Sequence, residues 1–174
     1  MNYMFLPLKR YADFSGRSRR LEFWLWALFN LVVTGVLLGF IMVAVFGSIT
    51  DLANRAAAGE FADYIPSDSS YSYVELNGEY YEIPPTIFIQ TIFGAMGIPG
   101  ILLALYSLAI FIPNLAVAVR RLHDQDKSGW WILIGFVPLI GGIWLLVLYF
   151  LDGAPGPNRF GPDPKGDPRS QIFS

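Results

Sequence analysis

Three stretches of the chain carry no charge at all: residues 23–50, 83–119 and 128–151, of 28, 37 and 24 residues. The 12 basic and 14 acidic residues all lie outside them. Crossing the hydrocarbon core takes about 20 apolar residues, and all three stretches reach that length. Each Asp, Lys or Arg at mid-membrane would cost roughly 2.5–3.5 kcal/mol on insertion scales. The pattern predicts an all-α membrane protein of three transmembrane helices. They are placed at 23–47, at 86–119 (a core over 88–112 with a helical extension), and at 130–150. A cleaved signal peptide fits the first stretch poorly. Its apolar core exceeds the usual 7–15 residues, and no A-x-A site follows.

The middle stretch is long for one straight span and short for two. Pro84, Pro85, Gly94, Gly97, Pro99, Gly100 and Pro113 interrupt it. One long, kinked span is the expectation, since proline removes a backbone hydrogen bond and bends a helix. The alternative is a surface segment at 86–97 followed by a span.

Composition narrows the function classes. With no Cys and one His, disulfide frameworks, cysteine zinc sites and multi-histidine metal sites fall away. Net charge is −2, so no bulk basic surface points to nucleic acid. No phosphate-cradling loop, nucleophile elbow or dinucleotide fingerprint occurs, and no cofactor is expected.

Orientation follows from the basic residues. Residues 1–22 hold Lys9, Arg10, Arg17, Arg19 and Arg20, and the connection 120–129 holds Arg120, Arg121 and Lys127. The loop 48–85 holds only Arg55, against seven acids. The positive-inside rule puts the N-terminus in the cytoplasm and the acidic loop outside. Three spans would leave the tail 151–174 outside, and a further crossing would bring it in. Trp24, Trp26, Trp130 and Trp131 fall at the inner interface, which indole prefers.

Spans and connections together make one single integral-membrane domain of 1–174. The preamble 1–22 alternates apolar residues with cations. It reads as topogenic charge, or as a segment meeting anionic lipid headgroups. Ser18 is placed to cap the first long helix. In the outer loop, Asn77-Gly78 between aromatic-rich runs predicts a small β-hairpin over 71–83. It is read as a lid on its own helices or a sister subunit, or as a recognition surface. The turn 120–129 carries His123 beside Asp124, and a nearby carboxylate favours imidazolium. It reads first as a tight helix-to-helix turn. The tail is too rich in Gly and Pro for a helix and should form turns.

Four motifs then stand in order: Gly16-Arg17-Ser18-Arg19-Arg20-Leu21-Glu22-Phe23-Trp24; Arg120-Arg121-Leu122-His123-Asp124 with Lys127-Ser128-Gly129-Trp130-Trp131; Pro138 with Gly141; and Gly156-Pro157-Asn158-Arg159-Phe160-Gly161-Pro162-Asp163-Pro164. Together they resemble the bacterial family catalogued as domain of unknown function 805, the YhaH-like inner-membrane proteins. The resemblance covers nearly the whole chain except 48–85. Arg19 stands where the family often has a small residue, and Asp126 where Gly is frequent. The resemblance implies a multi-pass protein of the bacterial inner (plasma) membrane and no established activity. Its pattern falls on a cytoplasmic-face cluster: Arg17, Arg20, Glu22, Trp24, Arg120, Arg121, His123, Asp124, Gly129 and Trp130. In the tail it falls on Asn158 and Arg159. Glu22 and Asp124 are expected to pair with arginines of the facing segment.

Three functions remain open. The first is a non-enzymatic interaction or accessory protein, partnered by the bilayer and by other membrane proteins. The second is a subunit of a homo-oligomeric transporter or channel with Asn30, Gln90 or Asn114 at its seam. The third is a lipid-directed enzyme using His123 and Asp124.

Overall fold

The computed structural model describes residues 3–61, 72–76 and 78–166. A turn of 3-10 helix at Tyr3–Phe5 leads into the short helix α1 (Leu6–Lys9). The long helix α2 runs Arg20–Ala57. Strands β1 (Ser72–Leu76) and β2 (Glu79–Ile83) precede the long helix α3 (Pro85–Asp124). A 3-10 segment at Gly129–Phe136 and helix α4 (Ile140–Phe150) complete the regular elements. Among the described residues, two helices are therefore long and apolar enough to cross a membrane, and a third is shorter.

Both long helices end in the same way. At α2, the Glu60 N–H donates to Arg55 O and the Gly59 N–H to Ala56 O, with Gly59 at φ +78°. At α3, the Lys127 N–H donates to Leu122 O and the Asp126 N–H to His123 O, with Asp126 at φ +57°. This paired pattern satisfies the last carbonyls and needs a left-handed residue just past the helix, usually Gly. Asp fills that place in α3.

Three expectations are corrected here. The segment 120–129 is not a turn throughout, because α3 continues to Asp124. Pro99 and Pro113 lie inside that helix without ending it. Residues 130–150 do not form one continuous helix. Pro138 has no N–H to continue a helix, and Leu139 takes φ +64° and ψ −52°, so the backbone reverses there. The Ile140 N–H closes on Pro138 O at 2.7 Å, making a γ-turn of the rare, strained hand. Ser18 caps nothing: α2 starts at Arg20, and the buried Ser18 hydroxyl has no hydrogen-bond partner. Its N–H instead donates to Arg120 O at 3.1 Å.

The chain divides into two compact units, residues 1–32 with 107–174, and residues 33–106. In the second unit the strands pair antiparallel, Ser72 with Ile83 and Leu76 with Glu79. Ile83 is buried against Leu52 and Ala53 of α2, with Ile49, Ala56, Phe61, Ile87 and Phe88 packed around them. In the first unit the preamble folds onto the helices. Phe5 meets Phe29 edge-on at 5.5 Å, and the Tyr11 hydroxyl donates to Ala109 O at 2.7 Å. Trp26 is buried and donates from Nε1 to Asn114 Oδ1 at 2.6 Å. Tyr71, Asn77 and the tail beyond residue 166 lie outside the described residues.

Candidate functional site: a buried ion cluster closed by the tail

Five charged side chains are buried together in the first unit: Arg17, Glu22, Arg120, Arg121 and Asp124. Charge leaves water only when paired and hydrogen-bonded. The last two turns of α3 supply Arg120, Arg121 and Asp124, the first turn of α2 supplies Glu22, and the extended segment before it supplies Arg17.

Asp124 is the hub. Its Oδ1 accepts from Arg17 Nε at 2.9 Å, and its Oδ2 accepts from Arg121 Nη1 at 2.7 Å. Its backbone carbonyl accepts from the Ala154 N–H at 2.8 Å. The Arg17 guanidinium spends its other donors on Gly156 O and Ala154 O, both at 2.6 Å. Arg121 donates to Tyr149 O at 3.3 Å and to Leu151 O. One carboxylate and two guanidinium forks thus hold the end of α4 and the start of the tail.

The second pair is looser. Arg120 Nη2 stands 3.4 Å from Glu22 Oε1. Both Arg120 Nη atoms and Glu22 Oε1 lack hydrogen-bond partners. Burial pushes the Arg120 guanidinium below its ordinary value, and Glu22 opposes that shift.

His123 sits at the edge. Its ring stacks on Phe160 with centroids 3.8 Å apart and planes 4° apart, and Nδ1 lies 3.2 Å from Gly16 O. Burial lowers its pKa, the bond to Gly16 O opposes this, and Arg159 lowers it further. Asp124 turns toward the arginines, so the imidazolium-favouring pair read from the sequence does not form. Asn158 Nδ2 donates to His123 O at 2.8 Å, and Arg159 reaches Asp126 through a 3.2 Å ion pair and a 2.9 Å bond to its carbonyl. Both tail-motif residues therefore bind the end of α3.

The other family positions scatter. Arg20 pairs with the exposed Asp152 at 2.5 Å. Trp24 lies against Phe150 at 4.3 Å. Gly129 abuts Val119, where a Cβ would stand 2.7 Å from Cγ1. Trp130 is exposed. None of these four joins the buried cluster. Arg10 and Arg19 are engaged within the chain, Arg10 on Asp13 and Ser15 O and Arg19 on Pro164 O. Arg17, being buried, is not a headgroup contact.

Sequence reasoning missed Gly153 and the tail carbonyls. A Cβ on Gly153 would stand 2.1 Å from Asp124 Oδ2, so only glycine lets the tail approach. The Asp152-Gly153 pair directly after an apolar run was the signal available. A cavity of about 520 Å³ adjoins this point, between Arg17, Asp124, Asp152, Asp163 and Lys165. Among the described residues, no group of three His, Cys, Asp or Glu side chains could hold a metal ion.

The chain is 34% identical to inner membrane protein YhaH of Escherichia coli (strain K12) over 170 residues, 97% of this chain and 100% of that one. It is 35% identical to inner membrane protein YhaI of the same strain over 165 residues, 95% and 97% of the two chains. No solved structure matches. The family described as protein of unknown function DUF805 matches residues 11–162, which include every residue of the buried cluster. The chain belongs to the DUF805 family, whose relatives here are inner membrane proteins.

Proposed function

We propose that this protein is a multi-pass component of the bacterial inner membrane that acts without catalysis, as an interaction or accessory protein for other membrane proteins. In this reading α2 and α3 cross the bilayer. The N-terminal segment is cytoplasmic and the acidic loop 48–85 is extracytoplasmic, in line with the eight basic residues on one side.

One observation carries the reading: the chain buries five charged side chains of its motifs against one another and leaves large apolar side chains of its long helices exposed. The buried cluster sets three guanidiniums against two carboxylates, and its Arg17 and Arg121 bind the chain's own carbonyls. His123 is stacked under Phe160 and set toward a backbone oxygen rather than paired with an acid. An enzyme would need these groups free to meet substrate. The transporter alternative asked for polar groups at an oligomeric seam. Asn114 accepts from Trp26 and Asn30 donates to Trp26 O within one chain, which makes them poor seam residues and leaves the exposed Gln90 as the group open to a seam.

Native mass spectrometry of protein extracted gently from its own membrane tests this. The expected result is a defined complex with a different membrane protein. A homo-oligomer that conducts a solute after reconstitution would overturn it. Loss of a cellular phenotype in His123→Ala with the fold intact would overturn it in favour of catalysis.

A further inference from the structure

We propose that residues 129–150 form a re-entrant wedge. It enters and leaves the bilayer through the leaflet on the side of the N-terminal segment, and its turn lies among the acyl chains. This rests on the reading above that α2 and α3 cross the membrane.

The first support is the reversal of direction. The segment leaves from the end of α3 and returns to it. Gln125 donates to Leu148 O, and Arg121 donates to Tyr149 O and Leu151 O. Between these ends the two arms touch. A Cβ on Gly141 would stand 1.8 Å from Ile134 O, and one on Gly135 would stand 2.9 Å from Leu145 Cδ1. Close approach of small residues is how apolar helical arms pack in lipid.

The second support is length. The outgoing arm has 8 residues of 3-10 helix and the returning arm 11 of α-helix. At about 2.0 and 1.5 Å per residue each arm is roughly 16 Å long. That is about half of a hydrocarbon core roughly 30 Å thick.

The third support is surface chemistry. The turn exposes Phe136 at 83% and Leu139 at 89%, with Ile140 beside them. No charge occurs from residue 128 to 151. The exposed faces of the long helices in the same unit are likewise apolar, at Leu31, Leu108 and Phe111. An occupant of acyl-chain chemistry covers both surfaces at once. Trp130 and Trp131 open the wedge at the interfacial depth that indole prefers.

The fourth support is the backbone. Irregular chain at membrane depth must satisfy its own polar groups. The Val137 N–H donates to Ile134 O at 2.9 Å, the Ile140 N–H to Pro138 O at 2.7 Å and the Gly141 N–H to Val137 O at 3.0 Å. Pro138 brings no N–H at all.

The native chain has no cysteine, so single-cysteine variants of the full chain report one position each. Lys9→Cys, Glu79→Cys, Lys165→Cys and Leu139→Cys all replace exposed residues. Each is treated with a membrane-impermeant maleimide in spheroplasts and in inverted inner-membrane vesicles. The expected pattern is labelling of Lys9→Cys and Lys165→Cys from the same face, and of Glu79→Cys from the other. Leu139→Cys should resist the reagent from both faces. A bimane on that cysteine, in vesicles of phosphatidylethanolamine and phosphatidylglycerol, should be quenched by lipids spin-labelled on the acyl chain.

Labelling of Lys165→Cys from the face opposite Lys9→Cys would overturn the wedge and make 129–150 a crossing. Rapid labelling of Leu139→Cys from the Lys9 face, without acyl-chain quenching, would place the turn in water and overturn it equally. Labelling of Glu79→Cys from the Lys9 face is a different failure, because it removes the crossing of α2 and α3 on which both readings stand.

Discussion

Arg17 Nε stands 2.9 Å from Oδ1 of Asp124, a residue 107 positions later, and both side chains are almost wholly buried. The same carboxylate holds Arg121. Removing its charge strands two guanidinium groups away from water. Breaking a buried pair by removing one partner costs about 3–5 kcal/mol. Asp124→Asn is expected to lower detergent-solubilised stability by that order, read from the thermal midpoint. Glu22→Gln should cost clearly less, because its contact with Arg120 is 3.4 Å long and its Oε1 makes no hydrogen bond. Equal losses in the two variants would contradict this ranking.

Gly153 sets how closely the tail can approach that carboxylate. The methyl of Gly153→Ala would fall within 2.1 Å of Asp124 Oδ2, so the tail must lift. Limited proteolysis should cut the variant after residue 151 faster than the native chain. Rates that match would show that Asp124 can swing aside.

Two adjacent glycines in α4 provide a built-in contrast. A Cβ on Gly141 meets Ile134 O at 1.8 Å, whereas one on Gly142 meets nothing within 4 Å. Gly141→Ala should destabilise the protein in detergent by about 1–3 kcal/mol through overpacking. Gly142→Ala should be neutral or slightly stabilising, since alanine is the better helix former.

Asp126 occupies the left-handed position that closes α3, at φ +57°. Glycine holds that conformation without a Cβ penalty. Asp126→Gly should raise stability by up to about 1 kcal/mol. The exposed ion pair to Arg159 that it removes contributes little in water. A Val at the same position should be destabilising, which thermal midpoints of both variants would show.

His123 has a pKa held below its ordinary value, first by burial. The unfolded chain therefore takes up the proton at a higher pH than the folded one. Stability should be level above about pH 6.5 and decline as pH falls below it, flattening once the folded histidine is also protonated. Asp13, held at about 2 by Ser15 and Arg10, acts only at lower pH. Its stabilisation is lost as pH falls from the ordinary carboxylate range through that value. His123→Gln should abolish the upper step alone in melts across pH.

What could be read from the sequence divides by range. The charge-free runs located the long helices, because length and composition are local properties. The residues of the ion cluster were legible as motifs, since arginines and carboxylates beside apolar spans stand out. Which arginine meets which acid depends on long-range pairings, Arg17 with Asp124 at 107 positions' separation and Arg120 with Glu22 at nearly as many. The reversal at Leu139 was hidden because residues 128–151 have the length and hydropathy of an ordinary span. Only Pro138 and the glycines on either side mark it. The tail's place against Arg17 depends on two backbone carbonyls, which no side-chain pattern encodes. Trp26, read as an interfacial anchor, is instead buried with Asn114.

The clasp on Arg17 also has an order in time. The arginine is synthesised early, and the carbonyls of Ala154 and Gly156 that complete its shell follow 137 and 139 residues later. Until then a guanidinium destined for a dry site stays half-coordinated, and loop closure over such a separation is slow. A ribosome that stalls before residue 154 leaves this site visibly unfinished. Such a chain lacks both carbonyls, so its Arg17 guanidinium has neither of the tail acceptors that complete its shell.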